Sequence, residues 1–203
     1  QAYLHQGGKL TSQLQLFLEV FRDQTIGVTG TKGKSTTSSF IHHALKIAEK
    51  PTVLAGNIGQ AVFGIVSQLE PETLAVIEIS SYQLETVTLS PHVAVWLNFF
   101  AEHLNYHQTM ENYFAAKAHI TEYQQADDLF FYNADFPELK GLQTLARKHA
   151  FTQVDADHFI QDLPAEIYQH LSPIVVHQNI FPSWCVVKEL GVSREVFLRA
   201  VQP

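Results

Sequence analysis

The chain has 203 residues, an apolar fraction of 46% and a formal net charge of −7. That is enough apolar material for a buried core, and the negative balance argues against a nucleic-acid or anionic-membrane partner held by bulk electrostatics. Cys185 is the only cysteine, so no disulfide can form within the chain, which suits a reducing, cytoplasmic setting, and no apolar run is long enough to span a bilayer. The first residues, Gln1 to Gly8, have neither the charged start nor the apolar stretch of a signal peptide, and an opening on Gln1 instead of Met suggests a chain that starts mid-protein.

In chain order, Leu10 to Phe21 is expected to be a helix, with Leu14, Phe17, Leu18 and Phe21 on one face. Residues 1–24 then form a helical lead-in to a domain spanning 25–203. Thr25 to Thr29 is a β-branched run that reads as a strand, Gly30 to Gly33 as a turn, and Lys34-Ser35-Thr36-Thr37 as the opening of an amphipathic helix reaching about Glu49. Strand, glycine-rich loop and helix start in that order make a phosphate-binding loop. Gly30, Thr31, Lys32 and Gly33 bring backbone close to a ligand, Lys34 reaches phosphate, and the Ser35 and Thr36 region offers free amides and a Mg²⁺-binding hydroxyl. The full P-loop pattern needs an earlier glycine where Val28 stands, so only G-x-x-G-K-S remains. Without a ligand the same residues are a glycine-rich strand–helix turn with an exposed lysine.

Beyond this loop, Pro51 to Ala55 reads as a strand closing on Gly56-Asn57-Ile58-Gly59, where Asn57 is either a ligand-facing amide or part of a plain turn. Gln60 to Leu69 is expected to be a helix packing Val62, Phe63, Ile65, Val66 and Leu69. Thr73 to Ile79 has the continuous apolar character of a strand buried on both faces. Its Glu78 is either a metal-side carboxylate or a partly exposed strand-end residue. Ser80 and Ser81 open a hydroxyl-rich segment. His92 to Asn98 is a further strand, leading to a loop in which His103 and His107 could ligate metal or hold phosphate. In the helix from Thr109 to about Gln124, Lys117 shares a face with Tyr113, Ala116 and Ile120. It either snorkels to solvent or is a partly desolvated amine of lowered pKa, able to act as a nucleophile or to carry a charge-reversing modification. Asp128 to Tyr132 continues the sheet, and a short helix starts at Pro137. Ala150–Thr152, Asp157–Ile160, Ile167–His170 and Pro173–Val176 read as short strands, some antiparallel. Helices over Asn179–Leu190 and Arg194–Val201, with Gly191 and Ser193 as stop and cap, close the chain. The order of elements predicts an α/β domain: a P-loop-type, mostly parallel sheet flanked by helices, with a small antiparallel edge.

Thr29 to Thr37, Gly56 to Gly59, Glu78-Ile-Ser-Ser-Tyr-Gln-Leu-Glu85, Asn98 to His107 and Tyr113 to Ile120 occur in the order seen in the Mur ligases, and the Glu-Ile-Ser-Ser-Tyr-Gln-Leu stretch resembles the D-glutamate-adding branch. The resemblance covers about Thr25 to Val192. It implies an ATP-dependent ligase of peptidoglycan precursor synthesis, which activates a carboxylate as an acyl phosphate for attack by an amino acid. It further implies that the loop from Gly30 to Thr36 holds ATP and one Mg²⁺, and that Glu78 and His103 serve the metal centre. Lys117 would be carbamylated by CO₂ and contribute to a second Mg²⁺ site. Asn57, Ser80 and Ser81 would lie along a UDP-sugar peptide, and Asn179 would approach adenine. The family's Asp-His-Leu-Asp reads Glu102-His103-Leu104-Asn105 here, and of its His-Asn-x-x-Asn only Asn179 is kept, with Val175 and Val176 at the first two positions. Family members also carry an N-terminal UDP-binding and a C-terminal amino-acid-binding domain, for which this chain has no room; it resembles the central ATPase domain alone. Folylpolyglutamate synthases share the loop and the modified lysine, and a non-catalytic nucleotide-binding module is the alternative from another class.

Overall fold

The computed structural model describes residues 11–202; the first ten residues of the expected lead-in, Leu10 of its helix among them, lie outside that range. Helix α1 (Gln13–Phe21) starts where the Ser12 hydroxyl accepts the Gln15 N–H, and buries Leu14, Phe17 and Leu18. It leads through a 3₁₀ turn to β1 (Thr25–Thr29), the phosphate-loop candidate, and α2 (Lys34–Ile47). Then come β2 (Thr52–Gly56), β3 (Leu74–Glu78), α3 (Ser81–Leu84), β4 (Val93–Trp96), α4 (Leu104–His107), α5 (Met110–Glu122), β5 (Leu129–Asn133), α6 (Pro137–Lys140) and β6 (Arg147–Phe151). The C-terminal part is helical: α7 (Gln153–Gln161), α8 (Ala165–Tyr168), α9 (Pro173–Val175), α10 (Phe181–Glu189) and α11 (Arg194–Ala200).

The six strands run in the order β2-β3-β1-β4-β5-β6, and each of the five neighbouring pairs is parallel. With β1 inside and its successors on both sides, the carboxyl ends of β1, β3 and β4 share one edge, where α/β sheets bind ligands. Alternate residues of a strand face opposite layers. Ile26, Val28, Val76, Val95 and Phe131 pack with α2, α7, α10 and α11. Ala75, Ile77, Ala94, Trp96 and Phe130 pack with α1 and α5. Gly27 is required on this second face: a Cβ there would lie 2.7 Å from Pro91 Cγ and 2.9 Å from Ile79 Cδ1.

The expected antiparallel edge is not formed. Asp157–Ile160 and Pro173–Val176 are helical and Ile167–His170 runs from a short helix into a turn, because helix-start chemistry overrides their β-branched content. Thr152 and Asp155 make a reciprocal capping box for α7, Pro164 precedes α8, and Pro173 is the first residue of α9. Only the segment near Ala150 is a strand, and β6 pairs in parallel with β5. The helix expected over Gln60–Leu69 is a 3₁₀ helix, Val62–Gln68. Its three-residue repeat buries Val62 and Ile65 and leaves Phe63 and Val66 at 46% and 39% exposure. The helix expected from Asn179 is entered through a π turn, Val176–Ile180, in which the Phe181 N–H bonds Val176 O. Pro182 has no N–H to give the Gln178 carbonyl, which accounts for the wider turn. Among the described residues no helix is long and apolar enough to cross a membrane.

At the opposite edge of the sheet, the fully buried Asp128 ties three segments together. Arg22 Nη2 and His92 Nδ1 (2.7 Å) meet its two oxygens, and the Gln125 N–H donates to Oδ2 at 2.6 Å. Removing one member of such a buried set strands the others. Asp128→Ala is expected to lower the unfolding free energy by about 3 kcal/mol, measured by urea denaturation; a loss under about 0.5 kcal/mol, the range of an ordinary surface substitution, would contradict this account.

Candidate functional site

The loop between β1 and α2 sits at the ligand edge of the sheet. Thr37 N–H is the first amide of α2 to find a helical partner, bonding Gly33 O at 2.9 Å. The amides of Gly33, Lys34, Ser35 and Thr36 therefore have no helical partner and are free for a ligand. Gly33 has φ +84, and a Cβ on it would lie 2.7 Å from Asn179 Nδ2, so glycine is required for both reasons.

Two lysines converge on this loop. Lys34 Nζ donates to Gly30 O and Thr31 O, both at 3.1 Å. Lys117, 1% exposed, donates to Gly30 O at 2.9 Å and to Thr29 Oγ1 at 3.1 Å, with its Nζ 5.1 Å from the centre of the Tyr113 ring. The face of α5 that carries it turns inward, and the snorkelling alternative does not describe this side chain. Burial lowers the pKa of Lys117 to about 7, and the charge of Lys34 adds to the shift. Lys34 is itself held below the usual lysine range by burial, partly opposed by the nearby Glu78.

Glu78 ends β3 in register with Val28. It is 1% exposed; Oε1 accepts from Asn57 Nδ2 at 3.2 Å, whereas Oε2 has no partner. A buried carboxylate oxygen without a partner is expensive, and its charge favours a cation in the cleft. Among the described residues no three His, Cys, Asp or Glu side chains come together as a metal cage. A magnesium here would therefore rely on one carboxylate, the Ser35 hydroxyl, nucleotide oxygens and water, which is how this cation is usually held.

The remaining sequence candidates take more local positions. Ser80 caps α3, its Oγ accepting the Gln83 N–H while Gln83 Oε1 accepts the Ser80 N–H. Ser81 Oγ pairs with His107 Nε2 at 3.0 Å. The Tyr82 ring stacks on His107 and meets His103 edge-on, with centroids 5.5 and 5.2 Å apart. Burial lowers the pKa of His107 and favours its neutral form. His103 precedes α4 with φ 57, next to Glu102, whose carboxylate pairs with Lys32 Nζ at 3.1 Å. Asn179 is turned inward: its Nδ2 donates to Gly33 O and to Thr37 Oγ1, both at 3.1 Å.

The structure adds residues that sequence reasoning did not single out. Asn98, just past β4, holds the backbone of Thr31 and Lys32. Beside the loop opens a cleft of about 550 Å³ whose walls include Lys32, Asn98, Asn133, Asp135, Phe151 and His177. His177 is oriented by Asp157 Oδ1 at 2.7 Å from its Nε2. The signals were faint: asparagines at the ends of consecutive parallel strands.

A family model described as the Mur ligase middle domain matches residues 28–175. Among curated proteins, the chain is 37% identical to the UDP-N-acetylmuramoylalanine--D-glutamate ligase of Symbiobacterium thermophilum, over 72% of this chain and 32% of that protein. It is 32% identical to the ligase of the same name from Listeria innocua, over 94% of this chain and 46% of that protein. The chain thus spans from about a third to just under half of the length of these relatives. Among solved structures, UDP-N-acetylmuramate:L-alanyl-gamma-D-glutamyl-meso-diaminopimelate ligase from Neisseria meningitides superposes with a TM-score of 0.66 at 17% identity, covering 98% of this chain and 72% of that one. MurF ligase from Thermotoga maritima, in complex with ADP, gives 0.63 at 20% identity, covering 92% and 50%. These two likenesses speak to the fold.

The depressed pKa of Lys117 has a measurable consequence. An unfolded lysine keeps its proton to about pH 10. Between about pH 7 and that limit the unfolded chain binds more protons, so the fold gains stability as pH rises; below about 7 the penalty is fully present. In CO₂-free buffer, the stability difference between the wild type and Lys117→Met should shift in favour of the wild type from pH 7 to pH 10. A difference independent of pH would refute the depressed value.

Proposed function

The chain belongs to the Mur ligase family, and from that membership we propose that it supplies the central ATP-binding domain of a D-glutamate-adding ligase of peptidoglycan precursor synthesis. The whole enzyme joins D-glutamate to UDP-N-acetylmuramoyl-L-alanine in the cytoplasm, with further domains binding the UDP moiety and the incoming amino acid. One observation carries the reading: free amides from Gly33 to Thr36 face the same edge as two inward lysines and an unpartnered buried carboxylate. Such a site suits a polyphosphate with its counter-cation. The residue-level matches to the D-glutamate-adding branch and the similarity to the Symbiobacterium and Listeria ligases support the choice of substrates.

In this proposal the amides at the start of α2 and the Lys34 ammonium bind the β- and γ-phosphates of ATP. A bound Mg²⁺ supplies charge neutralisation at the phosphoryl group being transferred to the substrate carboxylate. Ser35 and Glu78 would hold it, with His103 at the rim. The cleft bounded by Asn133 and His177 receives the base and ribose. Asn179 supports that region from behind, because its Nδ2 is engaged by the loop backbone. Asn57 and the Ser80–Ser81 segment face the acceptor side. The Lys117 amine, low in pKa and shielded from water, is suited to reversible addition of CO₂ as a carbamate, an oxygen donor for a second Mg²⁺.

The full-length gene product should release phosphate from Mg·ATP only when both UDP-N-acetylmuramoyl-L-alanine and D-glutamate are present. Dependence on a different acid and amino acid would reassign it within the ligases, and nucleotide binding without turnover would make it a non-catalytic module. Lys34→Ala should weaken Mg·ATP binding at least tenfold, about 1.4 kcal/mol; equal affinity by calorimetry would sink the phosphate assignment. Glu78→Gln removes the unpartnered charge and should raise the Mg²⁺ concentration for half-maximal nucleotide binding about tenfold, while the thermal midpoint measured without Mg²⁺ holds or rises. An unchanged Mg²⁺ dependence would take Glu78 out of the metal site.

A further inference from the structure

We infer that Asn98 is a positioning residue for the phosphate loop: its side-chain amide fixes the backbone of Thr31 and Lys32, so that the free amides begin at Gly33. This rests on the reading of the loop as a phosphate site.

The loop is short. Its sequence lacks the early glycine of the full P-loop pattern, because Val28 is a buried core residue of β1, so it has little backbone of its own with which to close. Asn98 supplies the closure from the neighbouring strand. Its Oδ1 accepts the N–H groups of both Thr31 and Lys32 at 2.9 Å, and its Nδ2 donates to Lys32 O at 3.0 Å. Its own carbonyl is anchored by Trp96 Nε1 at 3.2 Å and by Thr31 N–H at 3.1 Å. The side chain thus satisfies three backbone groups across 66 and 67 positions of sequence, and it is only 8% exposed. Gly30 lets the chain come this close: a Cβ there would sit 3.1 Å from Leu97 Cβ and 3.4 Å from Asn98 Oδ1.

The consequence is a division of labour along the loop. The amides of Thr31 and Lys32 turn inward to Asn98 and are withheld from any ligand. Those of Gly33 to Thr36 are the ones aimed outward. From the other side Asn179 Nδ2 holds Gly33 O at 3.1 Å, so the backbone is pinned just before and at the point where the free amides begin. Only a primary amide offers one atom that accepts two N–H bonds and another that donates to a carbonyl. Aspartate keeps the first property and loses the second; alanine loses both.

The test uses amide hydrogen exchange and calorimetric titration with Mg·ATP on the wild type, Asn98→Ala, Asn98→Asp and Lys34→Ala. Asn98→Ala should speed exchange of the Thr31 and Lys32 amides at least tenfold, leave protection in β1 and β4 in place, and weaken Mg·ATP at least tenfold with Lys34 intact. Asn98→Asp, the conservative variant, should restore protection of those two amides. Nucleotide affinity unchanged in Asn98→Ala but lost in Lys34→Ala would overturn the positioning role and leave the phosphate site standing. Exchange rising throughout β1 and β4 would reduce Asn98 to a general structural role and overturn it as well. If the wild type does not bind Mg·ATP, or Lys34→Ala binds it equally well, the phosphate reading falls and this inference falls with it.

Discussion

The site depends on a strict hydrogen-bond constraint. A loop that leaves consecutive amides free for a ligand must have its other polar groups satisfied inside the protein, because buried unpaired backbone is costly. Between Thr29 and Thr37 those partners come from four elements. Thr29 Oγ1 donates to Ile79 O beyond β3, Asn98 beyond β4 holds residues 31 and 32, Lys117 on α5 meets Gly30 O, and Asn179 near α10 meets Gly33 O. The parallel sheet order explains how these can converge. With β1 between β3 and β4, both neighbours deliver their carboxyl ends to the same place.

Charge is arranged against this neutral frame. Lys34 and Lys117 both donate to Gly30 O. Two ammonium groups sharing one carbonyl in a buried setting disfavour each other, and the deeper one yields: Lys117 is lowered to about 7, chiefly by burial and then by Lys34. The cleft therefore holds two lysines of lowered pKa, and the deeper one is readily neutral. Opposite them Glu78 keeps an oxygen unpartnered. A net charge of −7 over the chain does not oppose phosphate binding, since the attraction is local and short-ranged.

Much of this was legible in the sequence where local pattern and tertiary role coincide. β1 begins and ends at Thr25 and Thr29 as its β-branched run suggests, and the helical face placing Lys117 with Tyr113 and Ile120 is the face α5 buries. The reading failed where a cap decided the outcome. Thr152 with Asp155, and Pro173, make helices of segments whose composition favours strands. It gave Asn98 no role of its own for a different reason. An asparagine after a strand is ordinary turn chemistry, and its importance lies in contacts with residues 31 and 32, which sequence distance hides. Asn179 was visible as a motif remnant, but its partners were not: its Nδ2 donates to Gly33 O and Thr37 Oγ1.

Two of the departures from the family pattern, Glu102 and Asn105, fall on the rim of the site, and one, Val176, falls in the core. Glu102 stands where the pattern has aspartate, and its half-buried carboxylate pairs with the exposed Lys32 in an attraction that is weak and screened. Asn105 is exposed on the short helix α4. Val175 and Val176 replace a polar pair, yet Val176 is fully buried in the core beside Ile180, so the change exchanges a polar contact for packing. Glu78, Lys117, Thr29 and Asn98, by contrast, are buried, and Lys117 bonds Thr29. Substitution at Asn98 would strand backbone groups of residues 31 and 32, whereas substitution at the rim changes only how the mouth of the site is lined. At Glu102 and Asn105 solvent can take over a lost partner, whereas at Val176 core packing fills that place.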